Sequence, residues 1–194
     1  LSTGMANLKE IKTAIKILNK NGLKKKKLTI MHCNSAYPTP MKDANLKSIA
    51  FLKKKLGMKV GYSDHTLGVE SSIAAVTLGA EVIEKHFTLN KKLKGPDHST
   101  SLMPKEFKKM ISYIRNIERG LGVYSKIVTK SEKVNINFVR KSVVAKKNIL
   151  KGEKFKISNI TTKRPGYGIS PFQWNKVLGQ KALKNFKKDE LIFI

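Results

Sequence analysis

Strand-like and helix-like segments alternate through the first part of this chain, at about one pair every 25 residues, which is the signature of parallel βα units. Asn7 to Asn19 sets Leu8, Ile11, Ala14, Ile15 and Leu18 at helical spacing, and Asn21-Gly22 ends the run. Lys27 to Cys33 reads as a buried strand, Ala44 to Leu56 as a helix and Lys59 to Ser63 as a second strand. Val69 to Leu78 is an apolar, small-residue helix, and Glu81 to His86 a third strand. A long helix opens near Pro104, a proline suited to the first helical turn, and carries Phe107, Met110, Ile111, Ile114 and Ile117 towards Gly120. Such a chain is committed to an α/β fold.

The rhythm stops near Gly122. Residues 123–137 are polar and aperiodic and read as a linker between a first domain, 1–122, and a second, 138–194. The second is expected to be β-rich, with short pieces at Ser142 to Ala145, Ile160 to Gly168 and Leu191 to Ile194, and a turn at Leu150 to Glu153. A module this small has little core of its own.

Composition narrows the function classes. The net charge of +27 would attract phosphates, yet only four of the 40 basic residues are arginine: Arg115, Arg119, Arg140 and Arg164. The lysines are spread over every segment, and the densest run, Lys24 to Lys27, has no interleaved aromatics for base stacking. Lysine therefore reads as a surface filler, with no specific nucleic-acid partner, although its charge favours an anionic substrate. A single cysteine excludes a disulfide framework and a multi-thiolate zinc site. No apolar run approaches the roughly 20 residues that span a bilayer. The start, Leu1-Ser2-Thr3-Gly4, has neither initiator Met nor export signal, so the expectation is a truncated start and a cytoplasmic protein.

In parallel βα architectures, reactive groups gather at the carboxyl ends of strands. Here those ends read His32-Cys-Asn-Ser-Ala-Tyr-Pro38, Ser63-Asp-His-Thr66 and Glu84-Lys-His-Phe87, followed by Gly95-Pro-Asp-His98. A lone histidine is usually a buried, hydrogen-bonded side chain. Two histidines ending consecutive strands, about 4.8 Å apart, can converge on one cation. His65 and His86 are the candidate catalytic and metal-ligating pair. With carboxylates nearby and no thiolate set, they suit a divalent ion with open positions: Mn²⁺, with Zn²⁺, Co²⁺ and Mg²⁺ as rivals. Cys33 reads as a small buried hydrophobe.

His32-Cys-Asn-Ser-Ala-Tyr-Pro-Thr-Pro40, Gly61-Tyr-Ser-Asp-His-Thr66, Glu84-Lys-His-Phe-Thr88, Gly95-Pro-Asp97 and Lys163-Arg-Pro-Gly-Tyr-Gly168 closely resemble, in order and spacing, the sialic acid (N-acetylneuraminate) synthase family. The resemblance covers nearly the whole chain. It implies the C-terminal half of a (β/α)₈ TIM barrel followed by a small β-rich SAF, or antifreeze-like, domain. It also implies an enzyme that condenses phosphoenolpyruvate with an N-acetylated hexosamine. His65 and His86 then match the metal ligands, with Mn²⁺ the expected ion. Ser63 matches a phosphoenolpyruvate contact, and Ser35 stands where bacterial members place an Asn for the same substrate. Tyr37 and Asp97 match positions that meet the amino-sugar. Arg164 matches a SAF-domain arginine that reaches across a homodimer to the partner's active site.

By the same resemblance, Ser2 to Met5 ends the fifth barrel strand, and strands six to eight end at Cys33, Ser63 and His86. The first four βα units, with a catalytic carboxylate and phosphate-cradling lysines, are not in this sequence, so the expectation is the C-terminal part of a longer enzyme. The amino-sugar stays open between N-acetylmannosamine, its 6-phosphate and diacetylated sugars, with Tyr37-Pro-Thr-Pro40 and Gly95-Pro-Asp97 leaning towards the N-acetylneuraminate and legionaminate members. A reading from another class is a non-catalytic remnant that binds carbohydrate or nucleic acid; metal content discriminates, since a remnant has no reason to keep His65 and His86 converging on a cation.

Overall fold

The computed structural model describes Leu1–Ile194, which divides into two compact units, Leu1–Val123 and Tyr124–Ile194.

In the first unit, helix α1 (Leu8–Lys20) opens on Asn7, whose side chain accepts from the Lys9 and Glu10 amides while Glu10 caps the Asn7 amide in return. Helix α2 (Lys47–Leu56) stops at Gly57, whose φ of 60° is the left-handed geometry that glycine adopts without Cβ strain. Strands β1 (Thr29–Cys33), β2 (Lys59–Asp64) and β3 (Ile83–Lys85) form a parallel sheet in the order β1-β2-β3. The N-terminal segment extends it through a parallel bridge from Ser2 to Met31. Beyond β3, Phe87 and Leu102 form a further parallel bridge. Helix α3 (Glu70–Thr77) follows β2, and α4 (Pro104–Leu121) closes the unit.

Register decides which side chains meet. Ile30 pairs with Val60, His32 with Tyr62, and Tyr62 with Ile83. Alternation along each strand puts these residues on one face, where Ile30, Val60 and Tyr62 join Ile11, Ile15, Ile49 and Leu52 of the helices in the main core. A second cluster, Leu102, Met110 and Ile114, seats α4 against Val69, Ile73 and Val76 at α3. Gly61 faces the other way. A Cβ there would come within 2.4 Å of the Met31 sulfur and 2.8 Å of the Val82 carbonyl oxygen, so glycine alone lets the strands close up.

In the second unit, β4 (Ser142–Ala145) pairs antiparallel with β5 (Ile160–Lys163). Three isolated antiparallel bridges, Val144 to Leu191, Ile149 to Phe186 and Lys154 to Lys181, extend the pairing. The terminal segment expected as a strand from Leu191 to Ile194 thus contributes one bridge rather than a ladder. The core is Val143, Ala145, Ile149, Phe155, Ile160, Val177, Ala182, Phe186 and Ile192, including the single-turn helix α7 (Trp174–Val177). Within residues 123–137, read from sequence as aperiodic, lies α5 (Lys130–Lys133), and α6 (Ile136–Val139) follows; both group with the second unit. The Glu132 carboxylate accepts from both the amide and the hydroxyl of Thr129, a local hydrogen-bond device that hydrophobic periodicity does not register over four residues.

Candidate functional site

Three consecutive residue pairs occupy the carboxyl ends of β2 and β3. Ser63 stands opposite Glu84 and Asp64 opposite Lys85, and one residue past both strands the rings of His65 and His86 meet. Because side chains alternate, Ser63, Glu84, His65 and His86 share the face away from the helices, while Asp64 and Lys85 point beneath α3.

The two imidazole rings lie 5.2 Å apart, edge to face. Tyr37 reaches both, its ring centroid 4.1 Å from that of His65 and 5.5 Å from that of His86. His65 Nδ1 is 2.7 Å from the Asn34 carbonyl oxygen. A carbonyl can only accept, so Nδ1 carries the proton and the lone pair of the neutral ring sits on Nε2. Ser63 Oγ lies 3.2 Å from that Nε2 and donates to Glu84 Oε1 at 2.6 Å. His86 Nδ1 faces Asp97 Oδ2 at 3.7 Å. The loop that presents Asp97 is tied down by its own carbonyl, which accepts from the Ser101 hydroxyl at 2.7 Å. Between His86 and Asp97 opens a cavity of about 250 Å³, lined also by Phe87, Gly95, Pro96 and His98. A larger groove of about 660 Å³, lined by Val76, Ile83, Phe107 and Ile111, carries no histidine or cysteine; the chemistry-bearing side chains converge at the carboxyl ends of the strands.

On the opposite face, Asp64 and Lys85 form a buried ion pair at 3.0 Å. Asp64 also accepts from the Ser71 and Ser72 hydroxyls at 2.6 Å each and from the Thr66 amide and hydroxyl. Burial by itself pushes the Asp64 carboxyl up, but the Ser71 and Ser72 hydrogen bonds, the Lys85 ammonium and the Thr66 hydroxyl together hold it below the usual aspartate range. Burial, and then the neighbouring Asp64 charge, push the Tyr62 phenol above its ordinary value.

Tyr37, Ser63, His65, His86 and Asp97 are thus brought together. Ser35 is exposed and lies against Gly4, where an added Cβ would approach its hydroxyl to 3.2 Å. Arg164 belongs to the second unit. Its Nε donates to the Val139 carbonyl at 2.9 Å, and the neighbouring Gly166 amide donates to the Asn137 carbonyl at 2.7 Å, which fixes the loop. Glu84 and the Asn34 carbonyl are additions to the residues singled out from sequence. Glu84 was within reach of strand alternation, since it stands two residues before His86. A backbone carbonyl leaves no such trace.

No three His, Cys, Asp or Glu side chains converge on one point. The chain offers an ion two nitrogens, and the donor chemistry fits one: His65 is oriented by a carbonyl on Nδ1, as ligating histidines usually are, and Nε2 is left with its lone pair.

The NeuB family model matches residues 1–126, and the SAF domain model matches residues 140–193. The N,N'-diacetyllegionaminic acid synthase of Campylobacter jejuni is 54% identical over 192 residues, which are 99% of this chain and 58% of that protein. The pseudaminic acid synthase of the same organism is 40% identical over 187 residues, 96% of this chain and 54% of that protein. Among solved structures, the N-acetylneuraminic acid (sialic acid) synthetase of Leptospira borgpetersenii, in complex with citrate, matches with a TM-score of 0.63 and 40% identity over 70% of this chain and 47% of that one. The chain therefore spans about half the length of these relatives. With strand-end motifs, sheet order and family models in agreement, the chain belongs to the NeuB family and carries a SAF domain.

Proposed function

We propose that this chain supplies the metal-binding and sugar-binding part of a nonulosonic acid synthase. The synthase condenses phosphoenolpyruvate with an N-acetylated amino-sugar and releases phosphate by C–O cleavage. The observation that carries the reading is the pairing of His65 and His86 at the ends of adjacent parallel strands, with ring centroids 5.2 Å apart. The parallel order of the Ser2 segment, β1, β2 and β3 supports reading them as strands five to eight of a (β/α)₈ barrel.

His65 and His86 would hold a divalent ion, Mn²⁺ in this reading, which when bound supplies Lewis-acid polarisation of the sugar's aldehyde oxygen. Everything else falls to side chains. Ser63 sits beside the His65 ring and contacts phosphoenolpyruvate. Asp97, half exposed and next to His86, accepts from sugar hydroxyls; Tyr37 packs over both rings and walls the sugar. Carbon 3 of phosphoenolpyruvate attacks the aldehyde carbon, water adds at carbon 2, and the tetrahedral carbon expels phosphate with the bridging oxygen. Arg164 acts from the second unit of a homodimeric partner. Its terminal nitrogens make no hydrogen bond within the chain, and its Nε anchor sets their direction.

The identity to a relative named for N,N'-diacetyllegionaminic acid, 54% against 40% for one named for pseudaminic acid, favours a diacetylated sugar of the legionaminic type. The test joins this chain to the barrel strands of the Campylobacter relative that it does not cover, and supplies phosphoenolpyruvate labelled with ¹⁸O at the bridging position. Label recovered in phosphate, with the diacetylated sugar turned over faster than N-acetylmannosamine, is expected. Label retained in the sugar product, or equal use of both sugars, contradicts the mechanism or the substrate assignment respectively.

A further inference from the structure

Asp64 and Lys85 each immediately precede a member of the histidine pair, yet both point away from it into the helix-facing interior, with side chains at most 2% exposed. A buried ion pair is a poor source of stability, because desolvating the two charges offsets most of their attraction. Its geometry here does something more specific than bond two strands. Asp64 Oδ1 accepts from the Thr66 amide at 2.9 Å and the Thr66 hydroxyl at 2.8 Å, so the residues on either side of His65 are tied to one carboxylate. Lys85 donates to the Thr66 carbonyl and pairs with Asp64 Oδ2, so the residue before His86 grips both flanks of His65. Ser71 and Ser72, in the first turn of α3, fasten the same carboxylate to the helix. Tightening on one face sets the rings on the other.

We infer that Asp64 and Lys85 are positioning residues: they form a clamp across β2 and β3 that fixes His65 against the Asn34 carbonyl and holds its Nε2 and the His86 ring in ligating register. The inference rests on the metal reading above for its consequence, but its geometric content stands on the rings alone. The charge pair is specific to the task. An apolar pair could pack the strands together; it could not grip the Thr66 amide, hydroxyl and carbonyl at once.

The test uses the whole chain in three forms: wild type, Lys85→Met, and Asp64→Asn with Lys85→Met, the double variant leaving no uncompensated buried charge. Long-range ¹H–¹⁵N spectra of ¹⁵N-histidine-labelled protein read the ring tautomers, and Mn²⁺ titration followed by electron paramagnetic resonance reads the affinity. In wild type, His65 is expected as a single Nδ1–H tautomer. In both variants the tautomers should mix, and Mn²⁺ affinity should fall about tenfold to a hundredfold, the size of effect seen when groups supporting a ligand are removed. Should Lys85→Met fail to fold, the double variant decides. A folded double variant whose His65 keeps one Nδ1–H tautomer with wild-type ring shifts overturns the inference. Failure of wild type itself to bind Mn²⁺ overturns the metal reading instead, and the ring spectra still decide the clamp.

Discussion

Ser63 donates its hydroxyl proton to Glu84 Oε1 at 2.6 Å across two adjacent parallel strands, and so keeps its oxygen 3.2 Å from His65 Nε2. Glu84 therefore fixes the position of the Ser63 oxygen proposed to meet phosphoenolpyruvate. In the joined synthase, Glu84→Ala is expected to lower kcat/KM for phosphoenolpyruvate about tenfold to a hundredfold, as for losing a hydrogen bond to a charged group, about 1.5–3 kcal/mol. The amino-sugar KM should move less. Steady-state kinetics with each substrate varied would expose the opposite pattern, which would place Glu84 in the sugar site.

The βα rhythm and the strand-end motifs were enough to anticipate neighbouring parallel strands and the meeting of His65 with His86, because consecutive βα units lay successive strands side by side and both histidines stand one residue past a strand end. The cap at Thr129 and the single bridge at Leu191 were not anticipated. Each depends on hydrogen bonds that hydrophobic patterning does not encode. The Asp64 clamp was hidden for another reason. Read as polar residues near a site, Asp64 and Lys85 look like site residues; alternation sets them on the face opposite His65 and His86, and only the register shows that they stand across from each other.

Gly61→Ala should lower the free energy of unfolding by about 1–3 kcal/mol, the usual cost of overpacking. The added methyl meets Met31 and the Val82 carbonyl, and the carbonyl belongs to a backbone that cannot swing aside. Urea unfolding followed by circular dichroism measures it. An unchanged midpoint would show that the sheet has slack at this crossing.

Glu106 accepts from the Met103 amide at 2.7 Å and pairs with Lys91 at 2.9 Å, and these contacts hold its carboxyl below the usual glutamate range. A depressed folded value means the contribution to stability is present above the unfolded value of about 4.3 and is lost as pH falls through the folded one. Glu106→Gln should therefore be less stable than wild type at pH 7, and the difference should shrink as pH falls below the unfolded value and through the folded one. Urea midpoints that differ equally at pH 7 and pH 3 would contradict this origin.

Residues from Gly122 to Val128 lie outside regular secondary structure, are exposed, and straddle the boundary of two units with separate cores. Limited proteolysis should cut there first, leaving two resistant products. First cleavage within β4 or α4 would argue against independent units.

The central claim, that His65 and His86 together hold the ion on which condensation depends, is tested most directly by phosphate release in the joined synthase, with and without Mn²⁺, for wild type, His65→Ala and His86→Ala. Wild type should release phosphate only with the metal, and each variant should fall at least about a hundredfold, as for loss of one strong electrostatic contact at the reacting centre. Wild-type rates from either variant, or undiminished release in the presence of chelator, would contradict it.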